Sequence, residues 1–485
     1  MIRISRNFLK SSFIYTVAGS LPVLSAVVLL PFYSVNLSTA DLGALSIYLS
    51  FTLLIQYITT YSFDISLYIH FHEFKHDPPK LASFVSSAFF LMLMIGAVVA
   101  AVMTLSGDLL FKAFFSESSL SFYPYGLLAS ATGIFQALFK VHSNLVQSRE
   151  RPEVFFWSNI CFFAIIMSVT IAGLYMFPLS LAGPVGGRFI AALIMGIWAL
   201  QRIFREFGIH FNYPLLRSSF SFNLYTFIYQ ILQWVINYFD RILLWFYISL
   251  STIGVYDFGL KCLLVIEFLL NGLHNSFYPR IVSTIMAQKE KRSTPEVNRY
   301  YHGFTSVIMV IICLCILSFP WAIETFIARE DYHRATEYIP YLAVIYIFRA
   351  IRLYFAVPYG ILKHSKPLPV IYLFVSAIKI GFIILLVRTW GIYGVVAATG
   401  VSAVAEIILL KYTIRERFTF QFNFHKIVSA PLLLFLLVVV LEPLYGKEYP
   451  VILHTFYLVA CGGILWWVYR NDLRQIDFSR LIGKQ

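Results

Sequence analysis

The chain has 485 residues, of which 59% are apolar and only 13% charged, and its formal net charge is +13. A soluble protein carries about a quarter charged residues, so this composition excludes an ordinary soluble enzyme and favours a chain that lies in lipid. The basic excess does not call for nucleic acid as a partner, because the basic residues concentrate on one side of a membrane.

Apolar stretches of about 20 residues, the length that crosses a bilayer as a helix, recur along the whole chain. A basic lead of Arg3, Arg6 and Lys10 precedes the first stretch without an A-x-A-like cleavage site, which favours a retained span over a removed signal peptide. We predict an all-α integral membrane protein with fourteen transmembrane helices. These lie near 11–33, 42–63, 82–106, 120–144, 154–178, 182–202, 218–247, 253–278, 301–322, 338–359, 369–389, 391–411, 428–445 and 450–470.

The distribution of Lys and Arg predicts which way these spans face. If the N-terminus is cytoplasmic, the inner loops, inner span ends and tails hold 25 of the 37 Lys and Arg residues, while the outer loops hold five, one of them Lys447. Basic residues are retained on the cytoplasmic side, so this division places both termini in the cytoplasm. The longest outer loops, near 107–119 and 323–337, are too short to fold as domains. The protein therefore acts within the membrane.

Residues 72–76 read HEFKH and match the H-E-x-x-H pattern of zinc peptidases. That chemistry requires both histidines on one helical turn and a third ligand nearby. Asp77-Pro78-Pro79 follows at once and ends any helix there, and no second ligand motif occurs in the sequence. We interpret the stretch as a short amphipathic segment at the headgroups, and we predict no metal site.

The sequence also contains an internal repeat. LSTADLGALSIYLSFTLLI (37–55) matches LSTIGVYDFGLKCLLVI (250–266) in kind, with Gly43 over Gly254, and Gly183 lies over Gly394 at the same offset of 211 residues. Equal offsets predict two parallel six-helix bundles, 1–206 and 207–418, followed by two further helices and a cytoplasmic tail in 419–485.

Three motifs in the second half carry a family resemblance. DRILLWFYISLSTIGVYDFGLKC (240–262), YPRI (278–281) and GIYGVVAATG (391–400) resemble the polysaccharide-transporter branch of the MOP superfamily. This Wzx-type branch holds flippases for undecaprenyl-pyrophosphate-linked oligosaccharides and is related to lipid II flippases and MATE drug exporters. The resemblance implies two bundles around a central cavity in the bacterial cytoplasmic membrane. It also implies export of a lipid-linked glycan, such as an O-antigen, capsule or exopolysaccharide unit, and contact with other polysaccharide assembly proteins.

Basic residues within the spans are the candidate substrate-binding groups, because an ionisable side chain in the bilayer costs at least about 3 kcal/mol and needs a reason. A pyrophosphate carries about two negative charges, and arginine binds it through paired, charge-assisted hydrogen bonds. Lys140 lies close enough to the cytoplasmic end of its span to reach the headgroups and is set aside. The candidates are Arg349, Arg352, Lys379, Arg188, Arg241 and Lys261. The alternative is that they form structural ion pairs, such as Asp257 with Lys261 or Asp240 with Arg241.

Buried carboxylates are the candidate ion-coupling groups. The sequence has no G-x-x-x-x-G-K-[ST] loop to bind a nucleotide, so directional transport needs an ion gradient. Proton or sodium carriers are typically buried acids, because burial penalises their charged form. Glu267 in the eighth span is the first choice, followed by Asp64 and Glu406. No other cofactor is predicted.

Three alternatives remain open. The sequence distinguishes only weakly between an oligosaccharide flippase and a lipid II flippase. A MATE-like exporter of cationic drugs would have an acidic or aromatic cavity, whereas bases outnumber acids among the embedded residues here. A membrane polymerase, ligase or other glycan-processing enzyme would show a large outer loop or paired acid and base groups at one face.

Overall fold

The computed structural model describes residues 18–22, 24–115, 120–287, 292–362, 364, 366–441 and 451–475. Nearly all of these residues are helical. The helices, numbered here in chain order, are α1 (Leu30–Asn36), α2 (Thr39–Thr60), α3 (Phe63–Phe74), α4 (Pro78–Phe114), α5 (Leu127–Ser148), α6 (Pro152–Met176), α7 (Ala182–Phe207), α8 (Tyr213–Leu244), α9 (Leu250–Cys262), α10 (Leu264–Ala287), α11 (Pro295–Phe326), α12 (Ala335–Ile361), α13 (Leu368–Trp390), α14 (Ile392–Ile414), α15 (Ala430–Leu441) and α16 (Val451–Gln475).

The predicted all-α membrane fold is confirmed. Within the described residues, nine helical segments are long and apolar enough to cross a membrane. The other five predicted spans coincide with α5, α8, the α9–α10 pair, α15 and α16. The basic lead of Arg3, Arg6 and Lys10, together with Lys447, lies outside the described residues.

The second predicted span differs from the structure at its inner end. Helix α2 begins with a capping box, in which Ser38 and Asp41 exchange hydrogen bonds, and it ends at Thr60. Tyr61 and Ser62 then take left-handed backbone conformations, with φ of 43° and 59°, before α3 begins. Such conformations cost free energy for residues other than glycine and persist only where the surrounding packing imposes them. The predicted headgroup segment is therefore largely a separate helix, α3.

The eighth predicted span is also divided. Its helix breaks at Leu263, so that α9 ends at Cys262 and α10 begins at Leu264. Glu267, expected in the middle of one continuous helix, lies instead in the first turn of α10. The break places this carboxylate at a helix N-terminus, where the backbone dipole favours negative charge.

The chain forms two compact units, Met1–Asp257 and Phe258–Gln485. In the first unit, buried side chains of α3, α4, α5 and α8, among them Phe63, Phe84, Leu138 and Leu216, form one apolar core. In the second unit, α12 packs against α10, α11 and α14, and α16 packs along α11. The predicted division of the repeat at 206 and 418 concerns internal symmetry and stays a prediction.

The two glycines that mark the later part of the predicted repeat have similar surroundings. A Cβ atom on Gly183 would lie 2.6 Å from the backbone nitrogen of Leu174 in the preceding helix, α6. A Cβ atom on Gly394 would lie 2.6 Å from the backbone oxygen of Leu386, again in the preceding helix, α13. Both positions need glycine because two helix backbones approach closely there. The same device thus recurs 211 residues apart.

Candidate functional site

Helix α12 carries the two arginines that the sequence singled out as neighbours. Arg349 and Arg352 are three residues apart, so they project from one face of the helix. Each side chain is 31% exposed, which leaves the guanidinium groups half-buried and within reach of a ligand. Two stacked positive charges repel each other unless negative groups lie close by.

Arg349 has its negative partner on α10. Its Nη1 donates to Oε2 of Glu267, a residue 82 positions away in the sequence. The guanidinium also lies over the ring of Tyr346, 5.3 Å from the ring centre, where the aromatic face attracts a cation. The predicted substrate-binding arginine and the first predicted ion-coupling acid therefore form one ion pair.

Arg352 has its negative partner on a different helix, α14, which also packs against α12. Its Nη1 lies 3.4 Å from Oε1 of Glu406, and the Glu406 side chain is only 7% exposed. The same Nη1 lies 3.5 Å from the hydroxyl of Tyr372 on α13. The site of the second unit thus pairs each arginine with an acid from a different helix.

The other predicted basic residues lie on helices other than α12. Lys379 is only 3% exposed and lies two turns after Tyr372 on α13, on the same face of that helix. Lys261 is buried near the end of α9. Arg188 lies on α7, where it interacts electrostatically with the buried Tyr33.

Arg241 is held in an acidic network of the first unit. Its Nη1 lies 2.7 Å from Oδ1 of Asp240, and its Nε lies 3.4 Å from Oδ1 of Asp257. The hydroxyl of Tyr256 donates to Asp240 at 2.9 Å. The predicted pairing of Asp240 with Arg241 is confirmed, and Asp257 also reaches Arg241. Arg241 therefore fits the alternative of a structural ion pair better than a substrate-binding role, because its guanidinium group already contacts two carboxylates.

Asp64 and Lys140 form a second buried network in the first unit. Lys140 Nζ lies 3.0 Å from Oδ2 of Asp64, and the amide of Gln230 donates to both carboxylate oxygens at 3.0 and 3.1 Å. The lysine ammonium also lies over the ring of Tyr57. Lys140 was expected to reach the headgroups, but it points at a buried acid instead, since pairing with Asp64 compensates the cost of burying both charges.

The H-E-x-x-H stretch does not have the geometry of a zinc site. Helix α3 ends at Phe74, so His72 lies within the helix and His76 in the turn after it. The Asp77 carboxylate caps the next helix by accepting from the Lys80 backbone N–H at 3.2 Å. Across the described part of the chain, no three His, Cys, Asp or Glu side chains are grouped closely enough to hold a metal.

Sequence reasoning missed the residues that complete these networks. Gln230, Tyr372 and Tyr256 are uncharged and lie in apolar or mixed stretches, so no local pattern marks them. Lys140 was visible as a charge within a span, and only its partner was hidden.

The long apolar helices are those of a multi-pass membrane protein, and comparison with known proteins identifies its family. A family model described as polysaccharide biosynthesis protein matches residues 8–286, more than half of the chain. The chain belongs to the polysaccharide biosynthesis protein family. With this family it is a member of the MOP superfamily. Among curated proteins, none matches the sequence.

Solved structures show how widely this polysaccharide biosynthesis family member shares its fold. The lipid II flippase MurJ in an inward closed conformation is similar with a TM-score of 0.70 and 13% identity, over 97% of this chain and 99% of MurJ. The MATE multidrug transporter DinF-BH in complex with R6G is similar with a TM-score of 0.62 and 13% identity, over 86% of this chain and 96% of that protein. At such low identity these likenesses establish the fold, and the chain is a multi-pass membrane transporter of the polysaccharide-synthesis type.

Proposed function

We propose that the protein is a flippase that moves an undecaprenyl-pyrophosphate-linked oligosaccharide from the inner to the outer leaflet of the bacterial cytoplasmic membrane. The cargo would be an O-antigen, capsule or exopolysaccharide repeat unit. The observation that supports this most strongly is the pair of half-buried arginines, Arg349 and Arg352, on one face of α12. Family membership supplies the link to polysaccharide synthesis.

The chemistry of the cargo fits this site. A pyrophosphate must shed water as it enters the membrane, and guanidinium groups replace that water through two parallel charge-assisted hydrogen bonds. The polyprenyl tail stays in lipid, so the protein needs to solvate only the phosphorylated and glycosylated head. The MATE-like alternative is disfavoured because the acids that a cationic drug would need, Glu267 and Glu406, are already paired with the two arginines. A lipid II flippase stays the second candidate, since its cargo carries the same pyrophosphate.

Directional flipping would be coupled to a proton or sodium gradient through alternating access. Glu267 and Glu406 are suited to this role because each is an acid partly or fully withdrawn from water and held beside a substrate-binding arginine. Asp64 is the third candidate, although its pairing with Lys140 gives it a structural role as well. Both termini would face the cytoplasm, where other polysaccharide assembly proteins supply the lipid-linked glycan.

The test is to deplete the protein in its native host and analyse the lipid-linked intermediates by extraction and mass spectrometry. We expect an undecaprenyl-pyrophosphate-linked oligosaccharide to accumulate and surface polysaccharide to disappear. Accumulation of lipid II would instead select the peptidoglycan alternative. Unchanged lipid intermediates together with increased sensitivity to cationic drugs would overturn the proposal in favour of drug export.

A further inference from the structure

Arg188 differs from the other arginines that lie within the predicted spans. Arg241, Arg349 and Arg352 each contact a carboxylate. Among the residues that the structure describes, no carboxylate lies within ion-pair distance of Arg188, and its Nε is buried without a hydrogen-bond acceptor. A positive charge inside the membrane is costly unless a negative group compensates it. The charge of Arg188 therefore calls for an anion that the protein does not supply in this part of the chain.

Arg188 lies on the packed face of α7. Ala191 and Ala192, one turn further along the same face, are 0% exposed, whereas Ile190 and Ile194 on the opposite face are 38% and 47% exposed. Arg188 itself is partly exposed. The side chain is thus held among neighbouring helices and is still accessible to a ligand.

Two neutral hydroxyl groups accompany this guanidinium group. Tyr33 on α1 is 0% exposed, and the charge of Arg188 acts on its hydroxyl. Thr170 on α6 is also 0% exposed, and its Oγ1 lies 2.3 Å from the position that a Cβ atom on Gly187 would take. The Thr170 hydroxyl therefore faces α7 one residue before Arg188. Within the described part of the chain, neither hydroxyl has a hydrogen-bond partner of standard geometry.

These three groups share a chemical property, since each can donate a hydrogen bond and none carries negative charge. Buried hydroxyls are normally paired, because an unpaired one has lost its bond to water without a replacement. The oxygens of a phosphate group accept several hydrogen bonds at once and bind guanidinium strongly. We propose that Arg188, Tyr33 and Thr170 form a second phosphate-binding site, contained in the first unit, whose ligand is the phosphate group of a membrane lipid.

The position of the site along the helices fits a lipid headgroup. Residues 177–181 join α6 to α7, and the predicted topology places this turn on the outer side. Side chains on a helix lean toward its N-terminus, so Arg188 in the second turn of α7 extends toward this outer turn. Tyr33 lies at the predicted outer end of the first span. An arginine in such a place keeps its stem among apolar groups and its charged head near the headgroups.

Two kinds of lipid present a phosphate group on that side. One is an ordinary phospholipid of the outer leaflet. The other, under the proposed function, is the flipped glycan lipid, whose pyrophosphate the site would hold after transfer and before release. That second role rests on the proposed function, whereas binding of a phospholipid does not.

The experiment measures lipid binding to the purified full-length protein in dodecyl maltoside, a detergent without phosphate. Native mass spectrometry counts the bound lipids. The probes are farnesyl pyrophosphate as a polyprenyl pyrophosphate, phosphatidylglycerol as a phospholipid, and farnesol as a control without phosphate. We expect one phosphate-bearing lipid to be bound in a manner that depends on Arg188, and farnesol should not displace it. Tighter binding of farnesyl pyrophosphate at this site identifies the flipped cargo as its ligand, and tighter binding of phosphatidylglycerol identifies a phospholipid.

Variants of the three side chains locate the effect. Arg188→Met should weaken binding at this site by about tenfold or more, because the charge-assisted hydrogen bonds are lost. Tyr33→Phe and Thr170→Val each remove one hydroxyl and should weaken it by about threefold to tenfold. The matched control is Arg202→Met, which removes an exposed arginine from the other end of α7 and should leave binding unchanged.

The two hydroxyl variants also separate ligand binding from a structural role. Because neither hydroxyl is paired within the described residues, their removal should not lower the unfolding temperature of the lipid-free protein. A purely structural role predicts no change in lipid binding for Tyr33→Phe or Thr170→Val. These variants keep the test decisive if Arg188→Met does not fold.

This proposal and the proposed function fail in different ways. Wild-type affinity and wild-type lipid count in the Tyr33→Phe and Thr170→Val variants would overturn the second site, and the flippase proposal would stand on the arginines of α12. Binding of phosphatidylglycerol that depends on Arg188, with no farnesyl pyrophosphate bound anywhere on the wild-type protein, would support the second site and count against the flippase.

Discussion

Gly43 and Gly254, which occupy equivalent positions in the predicted repeat, pack against each other backbone to backbone. A Cβ atom on Gly254 would lie 1.8 Å from the backbone oxygen of Thr39, and one on Gly43 would lie 2.1 Å from that of Leu250. The hydroxyls of Thr39 and Ser251 share a hydrogen bond of 2.7 Å beside this contact. The first turns of α2 and α9 are thus held together by a backbone contact and a hydrogen bond.

Adding a methyl group at either glycine should push these helices apart. We expect Gly254→Ala to destabilise the protein by about 2 kcal/mol or more, because the obstructing atoms belong to backbone that cannot rotate away. Thermal unfolding in detergent, followed by tryptophan fluorescence, measures the loss. The matched control is Gly186→Ala on α7, where a Cβ atom meets nothing within 4 Å and the higher helix propensity of alanine should keep stability equal or slightly greater. Equal unfolding temperatures for the two variants would contradict the close backbone contact between Gly43 and Gly254.

The Asp64–Lys140 pair should behave as a coupled unit. Removing one member leaves the other as a buried, unpaired charge, so Lys140→Met and Asp64→Asn should each lower the free energy of unfolding by roughly 1–3 kcal/mol. The lower end applies to Asp64→Asn, because the lysine that remains is 29% exposed and reaches water, whereas the aspartate that remains in Lys140→Met is only 5% exposed. The double variant should recover part of this loss, since no unpaired charge is left. Strictly additive losses in the double-mutant cycle would show that the pair is not an energetic unit.

Loss of a candidate substrate-binding residue in the second unit should abolish export. We expect Arg349→Ala and Lys379→Ala to stop the appearance of surface polysaccharide while leaving the protein at normal levels in the membrane. The reason is that the pyrophosphate then lacks one of the basic groups that replace its water of hydration inside the membrane. Arg415→Ala is the control, because Arg415 is exposed after the end of α14 and stacks on Tyr412. Normal surface polysaccharide in both test variants would remove the cationic site from the mechanism.

Transport should lose its dependence on the ion gradient when Glu267 is neutralised. We expect Glu267→Gln to flip cargo in reconstituted vesicles at a rate that no longer follows an imposed proton or sodium gradient, because a neutral amide cannot exchange a cation. Glu324→Gln, which removes an exposed acid from α11, should keep the dependence of the wild-type protein. Flux through Glu267→Gln that still follows the gradient would place the coupling at another acid, with Glu406 as the next candidate.

The C-terminal helix should be stabilised in a pH-dependent manner by Asp472. Burial alone would raise the pKa of this carboxyl group, but the Lys426 ammonium and the His302 ring, whose Nδ1 lies 3.1 Å away, outweigh burial and hold the pKa below its ordinary value of 3.8. A lowered pKa in the folded state means that the stabilisation is full above the unfolded-state value and is lost as the pH falls through the folded-state value. We expect Asp472→Asn to unfold at a lower temperature than the wild type near pH 7. The difference should shrink as the pH falls below about 4, and a constant difference across this range would contradict the assignment.

The membrane architecture could be read from the sequence because the signal is local. Twenty apolar residues in a row must form a helix in lipid, wherever the rest of the chain lies. The helix breaks at Ser62 and Leu263 were missed because no local signal marks them. Neither position carries the proline that usually produces a kink. At Ser62 the left-handed backbone is imposed by packing, which no local pattern records.

The candidate site could be predicted only in part. The embedded charges were recognisable as single residues, because any ionisable group within a span needs a partner. Which partner it has is a different question, since Glu267 lies 82 residues from Arg349 and Glu406 lies 54 residues from Arg352. The pairing of Lys140 with Asp64 was missed because these two residues are also far apart in the sequence.

The sequence by itself determined that this protein is a helical membrane protein, roughly where its spans lie and what family it resembles, because hydropathy and motif spacing act along the chain. Only the tertiary structure decided which acid meets which base when the two lie on different helices. Helix packing brings distant segments within a few ångströms, and at that distance one carboxylate decides whether an arginine is free for cargo or already occupied.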